Sequence, residues 1–215
     1  MFDLTLSFDN GPEPDATPGV LDILARRGVR ASFFVIGEKL ARARPLAERA
    51  HDEGHWIGNH SWTHSTPLGE RSGSDLAQSE IGRTQDAIGP LSHPRRFFRP
   101  SGGGGNLDRR LLNSPAVQFL QQGRFTCVLW NSIPRDWSDP DGWVARALGQ
   151  CRAQTWTLMV LHDLPGGAMR HLEAFLDQVG ELGGRLRQDF PPDCMPIVEG
   201  IVVRPIERYV AAERQ

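Results

Sequence analysis

The sequence predicts an α/β protein whose parallel βαβ units close, or nearly close, into a barrel. Three observations carry that prediction. Phe2, Leu4, Leu6 and Phe8 alternate with Asp3, Thr5 and Ser7, the period of a strand. Strand-like runs then alternate with amphipathic helical stretches along all 215 residues. Polar residues recur just past the strand ends, where parallel α/β folds gather their active sites.

The elements follow in order. "TPGVLDILARRG" reads as a helix, with Thr17 as N-cap, Pro18 at the first position and Gly28 at the end. "RASFFVIG" is a buried strand, "LARARPLAERAHDEG" a helix closed by Gly54, and "HWIGNH" a short strand. "SDLAQSEIGRTQDAIG" is amphipathic and helical, "RFFRP" a short strand, and "NLDRRLLNSPAVQFLQQG" a helix interrupted at Pro115. "FTCVLWN" is a strand, "DGWVARALGQCRAQ" a helix, "TWTLMVLHD" a buried strand and "AMRHLEAFLDQVGELGG" a helix. "IVEGIVV" is read as a last strand, and residues 187–215, rich in proline and apolar residues, as a cap on the barrel or else a contact surface. With no linker, repeat or low-complexity tract, one domain over residues 1–215 is expected.

Composition narrows the function classes. The chain is 39% hydrophobic and 23% charged, enough for a real core, and its formal charge of −2 argues against a nucleic-acid partner. Three scattered cysteines, Cys127, Cys151 and Cys194, read as reduced thiols. Asp3 and the alternating start do not fit a secretory leader, and no stretch approaches the ~20 apolar residues of a membrane span. A cytoplasmic protein without a membrane partner is expected.

Past the strand ends come Asp9-Asn10, His60 and His64, Arg99-Pro100 before a glycine run, Asp136-Trp137, and His162-Asp163. His60 and His64 stand at i, i+4, which on a helix puts both imidazoles on one face, as a divalent metal needs. An isolated HxxxH is more often two solvated histidines. Ser61 excludes the HExxH metalloprotease pattern. Asp9 alone would be a turn residue and Arg99 a surface ion pair. The "SGGGG" run lacks the Lys-Ser/Thr of a phosphate loop, so its glycines let the backbone turn tightly or pass close to a ligand. Trp62, Trp130 and Trp137 are core residues by default, unless one or two of them wall a groove.

In this order the motifs resemble the polysaccharide deacetylases, the NodB-homology carbohydrate esterases. TFDDGP is similar to Ser7-Phe8-Asp9-Asn10-Gly11-Pro12, H[ST]xxH to His60-Ser61-Trp62-Thr63-His64, and RxPxG to the tighter Arg99-Pro100-Ser101-Gly102. DxxDW is half matched by Ile133-Pro134-Arg135-Asp136-Trp137, and LxxHD is matched at His162-Asp163. The resemblance implies a distorted (β/α) barrel that hydrolyses an N-acetyl amide of an amino sugar. It implies Asp9 as general base, His162 as general acid tuned by Asp136, and Arg99 orienting Asp9. His60, His64 and Asn10 would hold a divalent metal (zinc, cobalt or nickel), and Pro100, Gly102, Trp62 and Trp137 would contact substrate.

Asn10 departs from the family pattern, which has an aspartate ligand there. The amide keeps an oxygen but loses the negative charge, so zinc affinity should drop. Three readings stay open. The chain is a metallohydrolase with a weaker ligand, or a metal-independent hydrolase of allantoinase or cyclic-imide type using His60 and His64 as oxyanion donors, or a decayed domain that only binds. Survival of Asp9, Arg99, Asp136 and His162 favours an active hydrolase acting on a small soluble acylated substrate.

Overall fold

β1 (Phe2–Asp9) is the strand around which the sheet is organised, and its alternation sorts the chain into two sides. Leu4, Leu6 and Phe8 join the helix-side core, so Thr5, Ser7 and Asp9 face the barrel interior. β6 (Trp156–His162) runs parallel along one whole edge of β1, from Asp3 opposite Trp156 to Asp9 opposite His162. The other edge is divided: β2 (Ser32–Val35) pairs with Ser7–Asp9, and β7 (Gly184–Arg187) with Phe2–Thr5. The computed structural model describes residues 1–212.

From β2 the sheet continues in parallel through β3 (Trp56–Asn59), β4 (Phe97–Phe98) and β5 (Thr126–Cys127). An antiparallel hairpin, β8 (Ile197–Val198) and β9 (Ile201–Val202), forms its far edge. After β5 the chain crosses toward β6. There the Asn131 N–H donates to the Leu158 carbonyl, and the Val160 N–H to that of Ser132. This parallel bridge ties the two ends together, and the mostly parallel sheet curls into the distorted barrel that the sequence predicts.

Six α-helices among the described residues cover the outside: α1 (Thr17–Arg27), α2 (Gly37–Asp52), α3 (Arg83–Ile88), α4 (Ser114–Gln122), α5 (Trp143–Arg152) and α6 (Leu172–Glu181). α1 ends as expected at Gly28, whose φ of 62° suits glycine. Three expectations are corrected. The helix expected from Asn106 begins only at Ser114, where Asn113 accepts a hydrogen bond from the Ala116 N–H at 2.8 Å. Pro115 therefore lies in the first turn, the one place where its missing N–H costs nothing. The "FTCVLWN" strand shortens to Thr126–Cys127 because the rest forms the crossing. "IVEGIVV" is a hairpin, turned by Glu199 and Gly200 at φ 48° and 85°.

Inside the barrel Phe34, Phe97, Val128 and Leu158 pack with Phe190, Cys194 and Met195. The Thr5 hydroxyl donates to the Asp189 carbonyl, at the amino-terminal half of β1. The segment from Asp189 to Met195 thus plugs the end of the barrel opposite Asp9. Cys127, Cys151 and Cys194 are free, buried thiols. No helix among the described residues is long and apolar enough to cross a membrane.

Candidate active site

Strand period brings the polar residues together. Odd positions of β1 face inward, as do Phe97 of β4 and, two residues on, Arg99. The Arg99 side chain is 0% exposed, and each of its nitrogens nonetheless finds an acceptor. Its Nη1 donates to Asp9 Oδ1 and to Ser7 Oγ, both at 2.7 Å. Nε and Nη2 donate to the Val128 and Leu129 carbonyls at 3.2 and 3.3 Å, and the guanidinium lies 3.9 Å over the Phe34 ring. Burial would raise the Asp9 carboxyl, but the Arg99 charge and hydrogen bond, with the charge of His162, outweigh it and hold it below its ordinary value. Asp9 is an anion with one oxygen occupied and the other, Oδ2, left free.

Oδ2 lies 3.5 Å from His60 Nε2. His60 Nδ1 is 2.8 Å from the Arg99 carbonyl, which can only accept, so Nδ1 carries the proton and Nε2 a lone pair. Burial drives the His60 imidazole down to about 3 and also lowers that of His64, so both are neutral. The two rings lie 4.6 Å apart. No helix puts them there: Ser61 and His64 adopt left-handed φ of 65° and 52°, and a tight turn brings the rings together. Asn10, at φ 73°, buries its Oδ1 with no hydrogen-bond partner. Among the described residues no three His, Cys, Asp or Glu side chains gather as metal ligands. Two neutral imidazoles and an orphaned amide oxygen are nevertheless a donor set that suits a divalent cation.

On the adjacent strand His162 stands at the position paired with Asp9, and Asp136 grips it twice. It accepts from the backbone N–H at 2.8 Å and from Nδ1 at 2.9 Å. Burial would depress the imidazole, but the Asp136 hydrogen bond and charge, with Asp9, raise it. The other ring nitrogen is left for the cavity, which His162 lines. Trp137, 42% exposed, meets the His162 ring edge-on at 4.8 Å.

The cavity between these groups has a volume of about 250 Å³. Pro100, Gly102 and Trp137 line it. Trp62 does not: its indole packs against Gly37 and under the Arg83 guanidinium, 3.7 Å away, so its contact is with α2 and α3. Trp130, Ile133, Val160 and Leu164 complete an apolar wall. Trp130 Nε1 donates to the Gly105 carbonyl, and Gly102 lies so close to the indole that a Cβ would sit 2.7 Å from it. Of these residues, Leu164 was signalled only by its place after His162-Asp163.

Asp163 has a different task from its neighbour. It is wholly buried, accepts a hydrogen bond from the Thr17 hydroxyl, and lies against Gly11 where a Cβ would clash at 2.2 Å. Its Oδ1 has no partner, and burial pushes its carboxyl up to about 7.

The family model for polysaccharide deacetylase matches residues 3–116. The chain is 36% identical over 167 residues to a chitooligosaccharide deacetylase of Rhizobium leguminosarum bv. phaseoli, covering 74% of this chain and 67% of that one. It is 27% identical over 188 residues to a peptidoglycan-N-acetylglucosamine deacetylase of Bacillus cereus, covering 86% and 63%. The chain thus spans about two thirds of the length of these curated relatives. Among solved structures, a family 4 carbohydrate esterase from Streptomyces lividans in complex with acetate matches with a TM-score of 0.74 at 26% identity, over 95% of this chain and 98% of that one. The matched model covers more than half of the residues, and the barrel and the relatives agree with it: the chain belongs to the polysaccharide deacetylase family.

Proposed function

We propose that this chain hydrolyses the N-acetyl amide of an acetylated amino sugar or a short oligosaccharide of such sugars, releasing acetate and a primary amine. One observation carries the reading. A buried carboxylate with one free oxygen and an imidazole held by a carboxylate stand at paired positions of adjacent strands and line the same small apolar-walled cavity. The relatives' names, chitooligosaccharide and peptidoglycan-N-acetylglucosamine deacetylase, support the substrate class.

In this reading Asp9 Oδ2 takes a proton from water as it attacks the amide carbon. Arg99 and Ser7 fix the carboxylate's other side, so its orientation is set before substrate arrives. His162 donates its proton to the departing nitrogen, since an amine anion is a very poor leaving group. Asp136 keeps that imidazole charged until then. Proton transfers of this kind each contribute about 10²–10⁴-fold. Trp130, Ile133 and Leu164 hold the acyl end away from bulk water. His60 Nε2, His64 and Asn10 Oδ1 would hold a divalent cation, which supplies polarisation of the carbonyl and a lowered pKa for the water.

The test is acetate and primary-amine release from N-acetylglucosamine oligomers, with zinc, cobalt or nickel present. Turnover that Asp9→Asn abolishes is expected, and no release from any oligomer length would refute the sugar reading. Calorimetry should show Asn10→Asp tightening zinc binding, because a charged oxygen replaces a neutral one. Unchanged affinity would remove Asn10 from the donor set.

A further inference from the structure

We propose that Glu80, on a different element from any residue of the site, is a positioning residue that fixes the His60–His64 turn. The inference rests on the reading of those histidines as cation donors. Its own evidence is the carboxylate's set of partners. Glu80 is buried, and Oε2 accepts from the Trp62 and Thr63 backbone N–H groups at 3.0 and 2.9 Å. Oε1 accepts from the Thr63 hydroxyl at 2.9 Å and from Arg71 Nη1 at 2.6 Å. The carboxylate thus ties Trp62–Thr63 and Arg71 to the Gln78–Gly82 segment.

The turn needs holding. Ser61 and His64 are non-glycine residues in left-handed conformations, which cost free energy unless neighbours over-determine them. On one side α2 does so: the Gly37 and Glu38 N–H groups donate to the Ser61 and Trp62 carbonyls. On the other side, among the described residues, the only carboxylate touching the turn's N–H groups is Glu80. The residue sits in a π-helical turn, Gln78–Gly82, just before α3. Such turns advance the side chain relative to an α-helix and recur at functional sites. The same segment reaches the strand below, where Asn59 Nδ2 donates to the Ile81 carbonyl. His60 follows Asn59 directly, so Gln78–Gly82 braces both ends of the turn. A carboxylate suits the role because charge-assisted bonds to two adjacent N–H groups are stronger than neutral ones.

The experiment uses Glu80→Ala, Glu80→Asp and Glu80→Gln with cobalt ion as probe. Cobalt affinity is read by calorimetry, and Trp62 and Thr63 amide exchange by NMR, on variants whose far-ultraviolet circular dichroism is native. Glu80→Asp keeps the charge but withdraws it by one methylene, which covers the case in which Glu80→Ala does not fold. Exchange at both amides is expected to accelerate in Glu80→Ala and Glu80→Asp, with cobalt affinity falling about 10–100-fold, as for other groups that orient ligands. Glu80→Gln, which retains an acceptor oxygen for both N–H groups, should recover most of it. Unchanged exchange, or faster exchange with undiminished cobalt affinity, would overturn the proposal. Absence of cobalt binding in the native chain, with native exchange still dependent on Glu80, would instead refute the cation reading.

Discussion

Replacing Asp163 by asparagine is expected to remove a pH-dependent cost that the native chain carries. The carboxyl is 0% exposed, has one oxygen without a partner, and titrates at about 7 in the fold against 3.8 as a free side chain. Between those values the unfolded chain has released this proton and the native chain has kept it. The unfolded state binds fewer protons, so stability falls as pH rises, by about 1.4 kcal/mol per unit. From pH 5 to pH 7 that amounts to about 2–3 kcal/mol, and the loss levels off once the native carboxyl has also ionised. Asparagine has no such proton. Urea unfolding of both proteins at pH 5, 6, 7 and 8 gives the comparison. Asp9 and His162 titrate in both chains and largely cancel in the difference. The variant should gain on the native chain by about 2–3 kcal/mol between pH 5 and 7. A difference that stays flat over that interval would mean that Asp163 ionises in the fold near its ordinary value, and that burial does not govern it.

Three further outcomes follow from the site. Asp136→Asn removes the carboxylate that raises His162, leaving burial to depress it, so the alkaline limb of kcat/KM should move to lower pH; an unmoved limb would exclude His162 as the acid. Arg99→Met strands the Asp9 anion and should cost about 3–5 kcal/mol of stability by denaturant unfolding. Adding Asp9→Asn should return part of that, whereas additive losses would mean that the pair is not coupled. Gly58→Ala puts a Cβ 2.6 Å from the Phe34 ring on which the Arg99 guanidinium rests. It should lower stability by about 1–3 kcal/mol and reduce kcat with it; an unchanged melting temperature would refute the packing argument.

Much of the barrel was legible because its strands obey a simple period. Leu4, Leu6 and Phe8 announce both β1 and the inward direction of Asp9, and the same reasoning carries to His162 from the "LMVLH" run. The HxxxH spacing was misleading in a definite way. It aligns the imidazoles only if the segment is helical, whereas the rings meet because Ser61 and His64 take left-handed φ, which no spacing rule encodes. Trp62 looked like a groove wall from its position between the histidines, yet the turn aims it at Gly37 and Arg83. Glu80 was invisible for a related reason: a single acidic residue on an amphipathic helix resembles a solvated one until the tertiary structure buries it. Pro115 marked an interruption in the sequence, and the physical meaning of that interruption was a helix start.

The register of β1 also has a consequence for how the protein is made. β1 leaves the ribosome before the other strands of its sheet, yet β6 and β7, which flank it along most of its length, follow it only after roughly three quarters of the chain. Phe34 and Phe97 likewise wait for Phe190 to reach them. A nascent chain stalled before residue 156 therefore holds Asp9 without the strand that brings His162 opposite it, and a lengthening row of unpaired backbone and bare aromatic rings. Such long-range pairing slows folding and leaves edges open to other chains. Fragments ending short of β6 should be inert and sticky, and chemistry should appear only once β6 and its His162 have been delivered.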